Sequence, residues 1–146
     1  MRRTIVTLAT LISATLGAQA LEPGRAWHLL DQVEITEVEQ NNEWLAVKAF
    51  PPELRAAADG FTIEGYYLPI EAQGYVQSFL LIRDQDDCPF CGFGSGYGPS
   101  LEVSLKRPIG DRVPYSRIRV RGELQLIDDP GTYLAYRLTN ARVVRN

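Results

Sequence analysis

Residues 117–127 read Arg-Ile-Arg-Val-Arg-Gly-Glu-Leu-Gln-Leu-Ile, RIRVRGELQLI. Ile118, Val120, Leu124 and Leu126 fall on one side of this run, and Arg117, Arg119, Arg121, Glu123 and Gln125 on the other. Strand side chains alternate between faces, so the run predicts a long strand with one face buried and one in water. Gly122 stands in the middle of the apolar side. A glycine there marks the place where a long strand bends or bulges. A long bent strand lets one sheet curl onto itself, which favours a small closed barrel over a sandwich. The fold class predicted is mainly β: an OB-like barrel of about five strands, with one short helix and an N-terminal extension.

The flanking sequence supplies the other strands. FTIEGYYLPI (61–70) and YVQSFLLIR (75–83) are separated by the hairpin connection Glu71-Ala72-Gln73-Gly74. LEVSL (101–105), YLAYRL (133–138) and ARVVR (141–145) follow as three further strands, with a turn at Asp129-Pro130-Gly131. Upstream, Val33 to Val38 alternates as a strand does, and Asn41-Asn42 reads as a turn. Pro51 to Gly60 has prolines first, helix formers inside and glycine last, the ordering of a helix of one to two turns.

The chain opens MRRTIVTLATLISATLGAQALEPG. Arg2 and Arg3 form a basic start, Thr4 to Gly17 is apolar and uncharged, and Ala18-Gln19-Ala20 has the small-x-small form of a cleavage site. This reads as a secretory signal peptide over residues 1–20, leaving 21–146 as a single barrel-like domain in the periplasm. A membrane span would need about 20 apolar residues, and no second stretch reaches that length, so the cleaved product is not expected to span a membrane. The whole chain has 15 Lys and Arg against 18 Asp and Glu, a net charge of −3. Loss of the two leader arginines makes the product more acidic still, which argues against a nucleic-acid partner.

Both cysteines lie in DDCPFCGFGSGYG (86–98), and three readings of this stretch compete. Export to an oxidising compartment favours a Cys88–Cys91 disulfide that staples a glycine-rich loop. Cys-Pro-x-Cys-Gly is also the turn of zinc knuckles; a site here would need His28 or Asp87 to complete it, or two thiolates could hold copper(I). Thiol–disulfide exchange is the third reading. It wants a helix start at the first cysteine, whereas Gly92, Gly94, Gly96 and Gly98 follow here, and Asp86 and Asp87 disfavour a thiolate.

The remaining candidates are an anion- or oligosaccharide-binding face made of Arg117, Arg119 and Arg121, with Tyr66 for stacking. The alternative for that face is a solvated strand surface paired with nearby acids. Tyr66 and Tyr67 are adjacent and must point to opposite faces, so one of them is core. His28 is the sole histidine, and no serine, cysteine or carboxylate is spaced to make a hydrolytic triad with it.

Taken together, FPPELRAAADGFTIEGYYLPIE, VQSFLLIRD, the cysteine loop and IRVRGELQL resemble an uncharacterised family of exported bacterial proteins. The matching residues are Asp59, Gly60, Gly65, Tyr66, Pro69, Phe79, Leu80, Leu81, Cys88, Arg121 and Gly122, within roughly residues 50–127. The resemblance implies a periplasmic OB-like domain, some of whose relatives accompany metal-uptake transporters, and it implies no enzymatic activity. The family loop often carries a histidine and prolines, or adjacent cysteines, where this chain has Cys-Pro-Phe-Cys-Gly. The expected role is therefore a non-enzymatic periplasmic accessory module that assists metal handling through Cys88 and Cys91. Its expected partner is a periplasmic or inner-membrane transporter component. A periplasmic thiol–disulfide oxidoreductase and an OB-like oligosaccharide or anion binder are the alternatives.

Overall fold

The computed structural model describes residues 22–71, 74–86 and 100–145. The elements run α1 (Pro23–Asp31), β1 (Glu34–Gln40), β2 (Glu43–Ala49), α2 (Pro52–Ala57), β3 (Phe61–Pro69), β4 (Tyr75–Ile82), β5 (Ser100–Gly110), β6 (Arg117–Leu126) and β7 (Tyr136–Val143). The last five strands form a closed barrel in the order β3-β4-β5-β7-β6, and β6 returns to β3. All neighbours are antiparallel except β5 and β7, which are parallel.

The bent strand β6 makes closure possible. Its first half pairs with β3 (Phe61 opposite Gly122, Tyr66 opposite Arg117), and its second half pairs with β7 (Leu124 opposite Leu138). The β6–β7 register slips between Arg121 and Glu123, so Gly122 sits at a bulge. A Cβ at Gly122 would lie 2.6 Å from the Thr139 carbonyl oxygen and 2.9 Å from the Ala141 Cα. Only a residue without a side chain lets β7 come this close.

The predicted apolar face of β6 is the buried one: Ile118, Val120 and Leu124 join Phe61, Ile63, Tyr67, Phe79, Leu81, Leu101, Val103 and Leu138 in one core. Tyr67 is the core member of the tyrosine pair. Its ring lies 5.0 Å from that of Phe79, and its hydroxyl donates to Asp111 Oδ1 at 2.7 Å. Burial first, and the Asp111 hydrogen bond second, push its pKa up to about 12.

Three expectations need correction. Among the described residues there are two short helices, not one: α1 lies in the stretch read only as an extension. Ala26, Trp27, Leu29 and Leu30 make one apolar face of α1, and this face joins the barrel core. Trp27 Nε1 donates to the Glu64 carbonyl at 2.7 Å. Gly65 beneath it admits the contact, since a Cβ there would lie 3.2 Å from the indole and 2.4 Å from the Ile82 carbonyl oxygen. Next, 133–138 and 141–145 are not two strands. They form β7, a single strand that passes through a positive φ of 50° at Asn140. Finally, β5 continues five residues beyond 105, through Pro108: past an irregularity between Val76 and Ser78, Val76 pairs with Ile109 and Tyr75 with Gly110.

β1 and β2 form a separate two-stranded sheet. Asn41 and Asn42 make its turn with φ of 53° and 65°, a two-residue hairpin turn of the mirror-image class that matches strand twist. The hairpin leans on the β6–β7 connection. Ala46 N–H donates to the Pro130 carbonyl at 2.8 Å, and Tyr133 hydroxyl donates to Glu37 Oε1 at 2.9 Å. Lys48, only 7 % exposed, donates from Nζ to the Asp129 carbonyl at 2.5 Å.

Candidate functional site

The connection from β4 to β5 holds both cysteines, and its two roots are held side by side: Ile82 and Ser100 are opposite one another in the ladder. Three contacts brace the first root. Arg83 Nη1 bonds Asp31 Oδ2 at 2.7 Å, tying it to the last residue of α1. Arg83 Nε lies 3.6 Å from Asp84 Oδ2. Gln85 Nε2 donates to the Tyr115 carbonyl at 3.2 Å, reaching the turn that precedes β6. Tyr136, at the start of β7, belongs to the same end of the barrel. Burial and then the Asp31 carboxylate push its pKa up to about 12, with Arg83 acting in the opposite sense.

His28 sits on the last turn of α1, one turn before Asp31 and exposed. The Gln32 amide lies 2.9 Å from its Nε2. Helix geometry thus brings His28 to the barrel end from which the cysteine connection springs, although the two are far apart in sequence. Cys88, Cys91 and Asp87 lie outside the described residues. Among the described residues, no three His, Cys, Asp or Glu side chains are grouped to hold a metal ion.

The arginine face is divided by one acid. Glu64 on β3 lies between two guanidinium groups, with Arg117 Nη2 at 2.6 Å from Oε1 and Arg119 Nη2 at 2.8 Å from Oε2. The Glu64 side chain is 10 % exposed, and Arg119 Nε adds a 3.0 Å bond to it. Two of the three arginines are thereby engaged internally, as a solvated face paired with acids would have them. Arg121 instead folds its guanidinium over Gly60. Tyr66 is half-buried and stands opposite Arg117 and Ile82.

Glu64 and the Arg83–Asp31 clasp are the two features that sequence reading missed. Glu64 alternates with Ile63 and Gly65 on β3, which shows its face, but its arginine partners depend on a β3–β6 register that no local pattern gives. No helix among the described residues is long and apolar enough to cross a membrane.

No known protein family matches the chain, and no curated protein does. Among solved structures, it is similar to a crystal structure of a DUF3299 family protein from Pseudomonas aeruginosa PAO1. The two are 22 % identical, with a TM-score of 0.41, over 62 % of this chain and 65 % of that one. That family is uncharacterised, and the match spans slightly less than two thirds of its member's length.

Proposed function

We propose that the protein is a non-catalytic, exported binding module that handles a soft metal ion through Cys88 and Cys91. In this reading residues 1–20 are a cleaved leader, and the domain works in the periplasm beside a transporter component. The barrel is read as OB-like because it has five strands in the order β3-β4-β5-β7-β6 with a single parallel pair. One observation carries the metal reading: the Asp31–Arg83 clasp brings the helix end bearing His28 to the root of the cysteine connection. Two thiolates and a neutral imidazole are a donor set suited to zinc or copper(I).

The test is elemental analysis of the mature protein purified reduced and without oxygen. About one equivalent of zinc or copper is expected, lost in Cys88→Ser and lowered in His28→Ala. Metal below about a tenth of an equivalent, unchanged by either substitution, overturns the reading. Intact mass before and after thiol alkylation reports in the same sample whether the thiols are free or bridged, and where the leader ends.

A further inference from the structure

The hairpin of β1 and β2 has an unused edge whose chemistry can be specified. Its two-residue turn fixes the hydrogen-bonding frame. Gln40 and Glu43 flank the turn and exchange bonds, and then Val38 does so with Leu45, Thr36 with Val47, and Glu34 with Ala49. The N–H and C=O groups of Ile35, Glu37 and Glu39 therefore point away from β2. The same frame puts the Ala46 N–H on the outer side of β2, where it bonds the Pro130 carbonyl. Among the described residues, nothing bonds the outer side of β1.

The side chains beside this edge fall into two rows. Glu37 and Glu39 lie on the face turned toward the barrel. Thr36 and Val38 lie on the face turned away, backed across the ladder by Val47 and Leu45. Val38 is 42 % exposed, Val47 50 %, and Trp44 beside the turn 63 %. Exposed edges are commonly blunted by lysine, proline or a bulge. Here the edge is regular, with an apolar row on one face and acids on the other.

We propose that the outer edge of β1 is a docking site for an extended segment of another protein, added as a third strand. Strand addition draws affinity from main-chain hydrogen bonds and specificity from alternate side chains. The segment that fits has lysine or arginine at every second position, facing Glu37 and Glu39, and apolar residues between them, facing Val38. Charge selects this occupant over a second copy of the chain. β1 paired with itself would set glutamates against glutamates, and like charges directly opposite are destabilising. The proposal is independent of the cysteine connection and of any metal.

The test titrates isotope-labelled protein with the peptide acetyl-Lys-Val-Arg-Val-Lys-Val-Arg-amide, and with a counterpart whose basic residues are glutamate. Binding of the basic peptide is expected to shift and protect the amides of Ile35, Glu37 and Glu39 and to move Trp44 fluorescence to the blue. Glu39→Pro removes an outward N–H while leaving every β1–β2 bond in place, and is expected to weaken binding about tenfold or more. Unchanged barrel resonances in that variant show that the fold stands. No shift at millimolar peptide, equal binding of the acidic peptide, wild-type binding by Glu39→Pro, or protection of the β1 edge by self-association would each overturn the proposal.

Discussion

In the barrel each strand has a neighbour on both sides, while in the hairpin each has one. The barrel strands bury Phe61, Ile63, Phe79, Leu101, Val103 and Val120 almost completely, whereas the hairpin leaves Val38, Trp44 and Val47 in water. The same residue types thus do opposite things in the two regions, and closure accounts for the difference. A sheet rolled onto itself encloses one whole face. A two-stranded sheet laid on a connection can cover only the part it touches, and alone such a hairpin is marginal. The barrel is therefore held by its own core. The hairpin is held by Ile35, which packs against that core, and by polar contacts through Ala46, Lys48 and Tyr133.

The largest expected effect would break the barrel side of this contrast. Gly122→Val drives a branched side chain into the β7 backbone and is expected to cost about 4 kcal/mol or more, or to prevent folding. Denaturant melts measure it, and a loss below about 1 kcal/mol would show that β7 can move aside. Next comes alkaline pH, which acts through Tyr67 and Tyr136. Both pKa values rise from the usual 10 to about 12 on folding. A raised folded value means that the stability they contribute is complete below pH 10 and is lost as pH climbs through 12. Phenolate absorbance should place Tyr67 and Tyr136 among the late-titrating tyrosines, and Tyr67→Phe together with Tyr136→Phe should flatten the alkaline limb of the stability curve.

The hairpin side gives smaller effects that should stay local. Lys48→Ala leaves the Asp129 carbonyl without its partner and is expected to open the hairpin by about 2 kcal/mol. Amide exchange should accelerate at Ala46 while the β5 and β6 amides keep their protection; equal acceleration in both would mean that the two regions unfold as one. Smallest is Tyr133→Phe, which deletes an exposed bond to Glu37 and should speed exchange at the hairpin amides less than Lys48→Ala does, read from the same experiment.

How much of this was legible depended on the range of the signal. The β6 pattern showed its buried face, its kink at Gly122 and the closed barrel, because period-two alternation and a misplaced glycine are local. The Asn41-Asn42 turn and the helix ahead of Gly60 were legible for the same reason. α1 was not, since Pro23 to Asp31 is only nine residues long, opens on Pro23-Gly24 and has no side-chain cap to announce it. β7 was split in two because Thr139-Asn140 looks like a turn, whereas Asn140 takes its positive φ inside the strand. The arginine face was seen, but its neutraliser Glu64 comes from another strand. The clasp from Asp31 to Arg83 joins residues 52 apart in sequence, beyond any local pattern.

The place of β7 between β5 and β6 also bears on how the ring can come apart. It is the keystone: with β7 peeled away, β5 and β6 each keep a raw flank while the other three junctions still stand. A ring short of one stave offers two templates for strand addition at once, so fraying at β7 is the opening from which aggregation would start.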